Sequence, residues 1–177
     1  MARLEAINFQ NCMPEVEPIF KEIEQNFGFI PVLFKTSAHF PPLLEANWNK
    51  VKAVMADGNL ARKTKEAIAV VVSQDNSCEY CVGAHSMALK SLGFSDAAVE
   101  QVKNFDLAEA GYSEQEMALI SFARKANSQP HHIPDEEYQQ LKALGLTPSD
   151  IVEALGVMEL YAGFNKFLDA LEIEPEF

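Results

Sequence analysis

The chain has no apolar run approaching the roughly 18 residues that a membrane-spanning helix needs. Its opening stretch, MARLEAINFQNCMPEVE, lacks a basic segment leading into an apolar one. A soluble, cytoplasmic and unprocessed protein is expected. Basic residues are scarce as well: 14 Lys and Arg stand against 26 Asp and Glu, a formal charge of −12. Phosphate backbones and anionic lipid repel such a chain, so neither nucleic acid nor a membrane surface is expected as a partner. Three cysteines do not make a disulfide framework in a reducing compartment. Also missing are strand-like alternating runs closed by hairpin turns, a glycine-rich phosphate loop, a haem motif and a dinucleotide fingerprint. No cofactor and no resident metal are expected.

What is present reads as helix from end to end, so the expected class is all-α in a single domain over 1–177. A first helix is expected over 15–26, closed by Gly28, and a short one over 32–38. A longer one runs from Pro41-Pro42 to Met55. Asn59 is placed to cap a helix over 60–73, whose Ala67, Ile68, Val70, Val71 and Val72 are too broadly apolar for a surface element. Asn76-x-x-Glu79 resembles a capping box opening a central helix that stops at Gly93. Further helices are expected over 96–103, 113–127 and 135–143. Thr147-Pro148-Ser149-Asp150 opens a last one reaching about Leu171. Its Gly156 and Gly163 would admit a neighbouring helix closely. Its apolar groups, on more than one side, predict self-association, the alternative being a fully enclosed core helix.

Two cysteines lie in the run Cys78-Glu79-Tyr80-Cys81, with His85 four residues further on. At about 100° per residue these three fall within roughly 60° of one another around a helix. Cys81 and His85 form an i, i+4 pair, which sets an imidazole beside a thiol as its base. The helix N-terminus favours the thiolate at Cys78 most and at Cys81 less. In the first, deformable turn the two thiols can close a strained and therefore reducible disulfide. Glu66 lies twelve residues before Cys78, on the preceding helix. If that helix packs back, its carboxylate reaches His85; otherwise it sits in a solvated helix start with Arg62, Lys63 and Lys65.

Glu66, eleven residues, Cys78-x-x-Cys81, three residues and His85 together resemble the signature of the alkylhydroperoxidase D family, within the carboxymuconolactone decarboxylase superfamily. The similarity is densest over 31–93, runs more loosely through 94–177, and looks closest to the branch labelled peroxidase-related. The resemblance implies an all-α fold with the CxxC pair at the N-terminus of a central helix, assembled as trimers or hexamers. It also implies reduction of a hydroperoxide: Cys81 as the peroxidatic thiol, Cys78 as the resolving thiol, and His85 with Glu66 as the proton relay. A dihydrolipoamide-like or thioredoxin-like dithiol would be the reductant. One departure is Tyr80, where the founding peroxidases carry a second histidine. Tyrosine, with a pKa of about 10, is a poor proton shuttle at neutral pH.

Rival readings remain beside this one. Cys78 and Cys81 could serve a disulfide reductase with little peroxidase activity, or a redox sensor or scaffold without turnover. With His85 and Glu66 they could instead supply four ligands to zinc, although structural CxxC pairs usually sit on tight turns. Cys12 reads as an incidental thiol, His131-His132 as an exposed loop, and His39 as a helix-end residue. Trp48, Phe27, Phe29 and Phe34 read as core.

Overall fold

In the computed structural model, which describes residues 2–176, the chain folds as expected into helices, and no strand occurs among the described residues. The elements are α1 (Glu17–Phe27), α2 (Val32–Ser37), α3 (Pro41–Met55), α4 (Arg62–Asp75), α5 (Glu79–Ser91), α6 (Asp96–Lys103), α7 (Glu114–Ser128), α8 (Asp135–Ala143) and α9 (Pro148–Ala170). Short 3-10 turns occupy Phe9–Asn11 and Pro130–His132. No helix among the described residues is long and apolar enough to cross a membrane.

Local signals set most of the boundaries. Gly28 closes α1 in the left-handed conformation at φ 79°, and Gly93 does the same after α5 at φ 95°. Ser113 and Glu116 form a reciprocal capping box at α7, and Thr147 and Asp150 form another at α9, with Pro148 in its first turn.

Two capping expectations fail. Ala61, not Asn59, precedes α4, and no side chain caps that helix. Asn59 turns instead to α9, its side chain donating to Ser149 Oγ at 2.8 Å and its backbone N–H to Glu153 at 2.9 Å. Asn76 does not cap α5 either: it is the C-cap of α4, and Cys78 is the N-cap of α5. The cause is a tight reversal. Ser77 takes φ 59°, its N–H donates to Gln74 and the Cys78 N–H donates to Ser73, the paired bonds of a Schellman ending. A residue engaged in ending one helix is not free to open the next.

Helix α4 is the axis of the molecule. Every residue from Thr64 to Ser73 is buried, against α5, α6, α7 and α9. Full burial of Ile68 or one of the valines contributes roughly 1.5–3 kcal/mol each, which holds a segment with three successive β-branched residues in helical form. Helix α9 lies across α3, α4, α5 and α7 and buries Ile151, Ala154, Val157, Leu160, Tyr161, Phe164, Asn165 and Leu168, most of its circumference. Val152 is left 69% exposed. A Cβ at Gly156 would stand 3.7 Å from Val54, an ordinary contact, and at Gly163 nothing lies within 4 Å, so the expected close approach of a neighbouring helix requires neither glycine.

Trp48 and Phe34 are core, edge to face with ring centroids 5.7 Å apart. Phe27 and Phe29 depart from expectation at 40% and 51% exposed. They lie at the end of α1 and in the link to α2, at the rim of the core. There Phe27 still sets its ring against Trp48 with centroids 5.6 Å apart.

Candidate active site

The Schellman reversal folds α5 back along α4, and that hairpin brings together two residues 19 apart in sequence. His85 Nδ1 lies 2.6 Å from Glu66 Oε2. Arg62, one turn earlier on α4, donates from Nε to Glu66 Oε1 at 2.6 Å and from Nη1 to the Met55 carbonyl at 3.0 Å. The Glu66 side chain is 1% exposed and that of His85 14%, so the solvated helix-start alternative for Glu66 does not hold. Burial pushes the Glu66 carboxyl up, but the charges and hydrogen bonds of His85 and Arg62 outweigh it and hold the group below the usual carboxylate range. Glu66 is therefore an anion that accepts a hydrogen bond from His85 Nδ1, and with Nδ1 so engaged Nε2 is the ring nitrogen left to act as a base. Tyr161 on α9 stands edge-on to His85, with ring centroids 4.1 Å apart, and fixes the ring plane. Burial, aided by the Glu66 charge, raises the Tyr161 phenol well above its ordinary range and keeps it neutral.

Cys78 and Cys81 are free thiols, 0% and 3% exposed. A hydrogen bond from the Cys81 thiol favours the Cys78 thiolate, and together with the Cys81 backbone N–H it outweighs burial and the Asp169 carboxylate; the net direction is down. Cys81 moves up in turn, because Cys78 holds it as the proton donor and because burial and the charge on Cys78 oppose ionisation. Asn165 and Ser73 act on Cys81 in the opposite sense. Of the two thiols, Cys78 is therefore the one whose ionisation the surroundings favour. That asymmetry agrees with position, since the N-cap faces the unpaired N–H groups of the first turn.

Tyr80, one residue before Cys81, is buried, and its hydroxyl donates to Glu176 Oε1 at 3.3 Å. Burial first and the Glu176 charge second push its phenol above the ordinary range, so at neutral pH it is a fixed donor and not a relay. The other residues noted in the sequence are engaged elsewhere. Cys12 is half-buried and its Sγ donates to the Phe9 carbonyl at 3.2 Å. His39 is exposed, with Nε2 2.8 Å from the Glu5 carbonyl oxygen. His131 and His132 are exposed on the turn between α7 and α8.

As for zinc, Glu66 spends both carboxylate oxygens on Arg62 and His85, and no metal-holding group of three His, Cys, Asp or Glu side chains occurs among the described residues. Sequence reasoning missed Arg62, Tyr161, Asn165, Ser73 and Asp169 as site groups. Asn165 carried a signal, as an amide in an otherwise apolar stripe of α9.

Residues 41–125 match the model of the carboxymuconolactone decarboxylase family. An alkyl hydroperoxide reductase of Mycobacterium tuberculosis is 30% identical over 83 residues, which are 47% of this chain and 24% of that protein. Over that segment the chain is similar to the carboxymuconolactone decarboxylase family and to an AhpD-like relative. The AhpD-like frame extends along its length: a peroxidase-related AhpD core protein of Ralstonia eutropha JMP134 superimposes with a TM-score of 0.87 at 24% identity, over 99% of this chain and 92% of that one. The debrominase Bmp8, solved as a cysteine-to-alanine variant with 2,3,4-tribromopyrrole, shares the frame at a TM-score of 0.78 and 25% identity, over 92% and 86%. AhpD-like proteins thus bear the names of more than one activity. The part of this chain that aligns spans about a quarter of the curated relative it matches.

Proposed function

We propose that this AhpD-like chain reduces hydroperoxides through a dithiol–disulfide cycle of Cys78 and Cys81. The observation that carries the reading is the buried Glu66–His85 pair, which leaves one imidazole nitrogen as a base on the helix face that also bears Cys81. His85 Nε2 takes the Cys81 proton, and the thiolate attacks the terminal oxygen of the hydroperoxide. As the O–O bond breaks, the alkoxide recovers that proton from His85 and leaves as the alcohol, and Cys81 becomes a sulfenic acid. Cys78, the thiol that ionises more readily of the two, gives up its proton and attacks the Cys81 sulfur; the displaced hydroxide takes that proton and leaves as water. A dihydrolipoamide-like or thioredoxin-like dithiol then returns two electrons and two protons to reopen the bridge.

Tyr80 is the one observation that favours a second reading. With a neutral phenol in place of a second imidazole the relay is short, which suits a disulfide reductase with little peroxidase activity. A debrominase shares the frame, so the frame alone does not select the electron acceptor. Cytoplasmic residence and assembly as trimers or hexamers belong to the same proposal.

The test is stopped-flow consumption of cumene hydroperoxide with lipoamide, lipoamide reductase and NADH. Wild type should turn over, and Cys81→Ser and Cys78→Ser should each lose turnover. A disulfide that cycles with the dithiol while no peroxide is consumed would replace the peroxidase with the reductase or sensor reading.

A further inference from the structure

The segment that follows α9 is tied back onto the helix that bears the thiols. Cys78 donates its N–H to the Ser73 carbonyl at 2.9 Å, and Ser73 Oγ accepts from Asn165 of α9 at 2.9 Å. That pair of bonds sets the last two turns of α9 beside the residue that opens α5. Just past α9 the chain reverses: Glu172 stands at φ 51°, its N–H donates to the Asp169 carbonyl at 3.1 Å, and the Ile173 N–H donates to the Leu168 carbonyl at 3.0 Å. Arg3 braces this left-handed glutamate, donating to the Ala170 carbonyl at 2.9 Å and to Glu172 Oε1 at 2.7 Å. Three residues beyond Ile173, Glu176 Oε1 accepts the Val32 N–H at 2.6 Å and the Tyr80 hydroxyl at 3.3 Å. Tyr80 lies in the first turn of α5, between Cys78 and Cys81. Residues 172–176 thus leave the body beside that turn and are fastened again at the turn itself.

We propose that residues 172–176 are a strap across the first turn of α5, latched by Glu176, and that the two thiols become reactive when the latch opens. Cys78 and Cys81 are 0% and 3% exposed, so neither sulfur meets a hydroperoxide or a dithiol until something moves. The packed helices are poor candidates for that movement: α4 is buried from Thr64 to Ser73, and α9 over most of its circumference. The strap has the opposite character. Ile173 is buried, whereas Glu172, Glu174, Pro175 and Glu176 are exposed. Segments with few buried apolar contacts open at far lower cost than packed helices and leave the rest of the fold intact. Pro175 has no N–H to add to the hold. Lifting Glu176 breaks its bonds to Val32 and Tyr80, returns a carboxylate to water and opens no cavity in the core. Tyr80 thereby acts as the catch of a cover, in place of a proton shuttle. The strap does not rest on the peroxidase reading, since it governs access to the thiols for any reagent they meet.

The experiment follows alkylation of Cys78 and Cys81 by iodoacetamide in the reduced, native, full-length protein at neutral pH, read by mass spectrometry. Cys12 serves as the internal reference for any general loosening. Glu176→Ala should raise the alkylation rate of the pair about tenfold relative to Cys12. Tyr80→Phe, which leaves the Val32 bond in place, should raise it less. Glu176→Gln separates cover from charge: its amide oxygen can still accept both bonds, so its rate should stay near that of the wild type. An effect of the lost charge on the thiols would instead make Glu176→Gln and Glu176→Ala equal. A Glu176→Ala rate that matches either the wild type or Glu176→Gln would overturn the strap, even if peroxide turnover is found. Faster labelling of the pair in Glu176→Ala alone, in a protein that consumes no peroxide, would uphold the strap and remove the peroxidase reading alone.

Discussion

His85 Nδ1 and Glu66 Oε2 face each other at 2.6 Å across the α4–α5 hairpin, and the other Glu66 oxygen is held by Arg62. Replacing the carboxylate by its amide keeps the shape and can keep the Arg62 bond through the amide oxygen. The amide nitrogen then donates to Nδ1, which drives the ring proton onto Nε2, where the base should be. Glu66→Gln is therefore expected to fold and to lower kcat about a hundredfold, in the range general-base catalysis supplies. Steady-state kinetics beside a far-ultraviolet circular dichroism spectrum check both halves.

Glu66 also makes stability depend on pH. Its folded pKa lies below the unfolded value of about 4.3, so its contribution is fully present above that value and is lost as pH falls through the lower folded one. Urea midpoints of the wild type should therefore fall more steeply than those of Glu66→Gln below about pH 5. Parallel acid limbs would show that the carboxylate gains nothing from its two partners.

Lys65 is 1% exposed, with Nζ 2.6 Å from the Ala56 carbonyl, 3.0 Å from the Val54 carbonyl and 2.5 Å from Glu153 Oε1. It ties the end of α3 to α9. Lys65→Ala should cost about 3–5 kcal/mol, because it leaves a largely buried carboxylate and two carbonyls without their cation. Lys65→Met, which refills the volume, still leaves Glu153 without its cation and should recover only part of that loss. Urea denaturation of the three proteins measures the difference.

Tyr80 donates to Glu176 and does not shuttle protons. Tyr80→Phe should hold kcat for cumene hydroperoxide within about threefold and cost about 1 kcal/mol, one hydrogen bond of stability. A hundredfold loss of kcat with stability intact would make the phenol part of the chemistry after all.

The helices were legible because their ends carry chemistry of their own. Gly28, Gly93, Ser113 with Glu116, and Thr147 with Asp150 each mark a boundary that the chain observes. The thiols and the imidazole were legible by spacing within one helix. Glu66 was legible only through the family resemblance, because by spacing alone its meaning depends on how sharply the chain turns at Ser77, and a left-handed serine leaves no mark in the sequence. Asn76 misled for the same reason: it has the composition of a cap, and the reversal directs its amide inward to Asn165. Ser73 ends a run of valines and Lys65 stands in a charged stretch. Only the packing of α9 and α3 against α4 gives either its partners.

The dithiol cycle is tested most directly in a single turnover. Reduced Cys78→Ser protein is mixed with one equivalent of cumene hydroperoxide and trapped with dimedone, while release of the alcohol is measured. One equivalent of alcohol with a dimedone adduct on Cys81 is the expected result. An adduct that forms only on Cys78, in Cys81→Ser protein, would reverse the roles of the thiols. Alcohol release without any adduct, or no release at all, would contradict a peroxidatic Cys81.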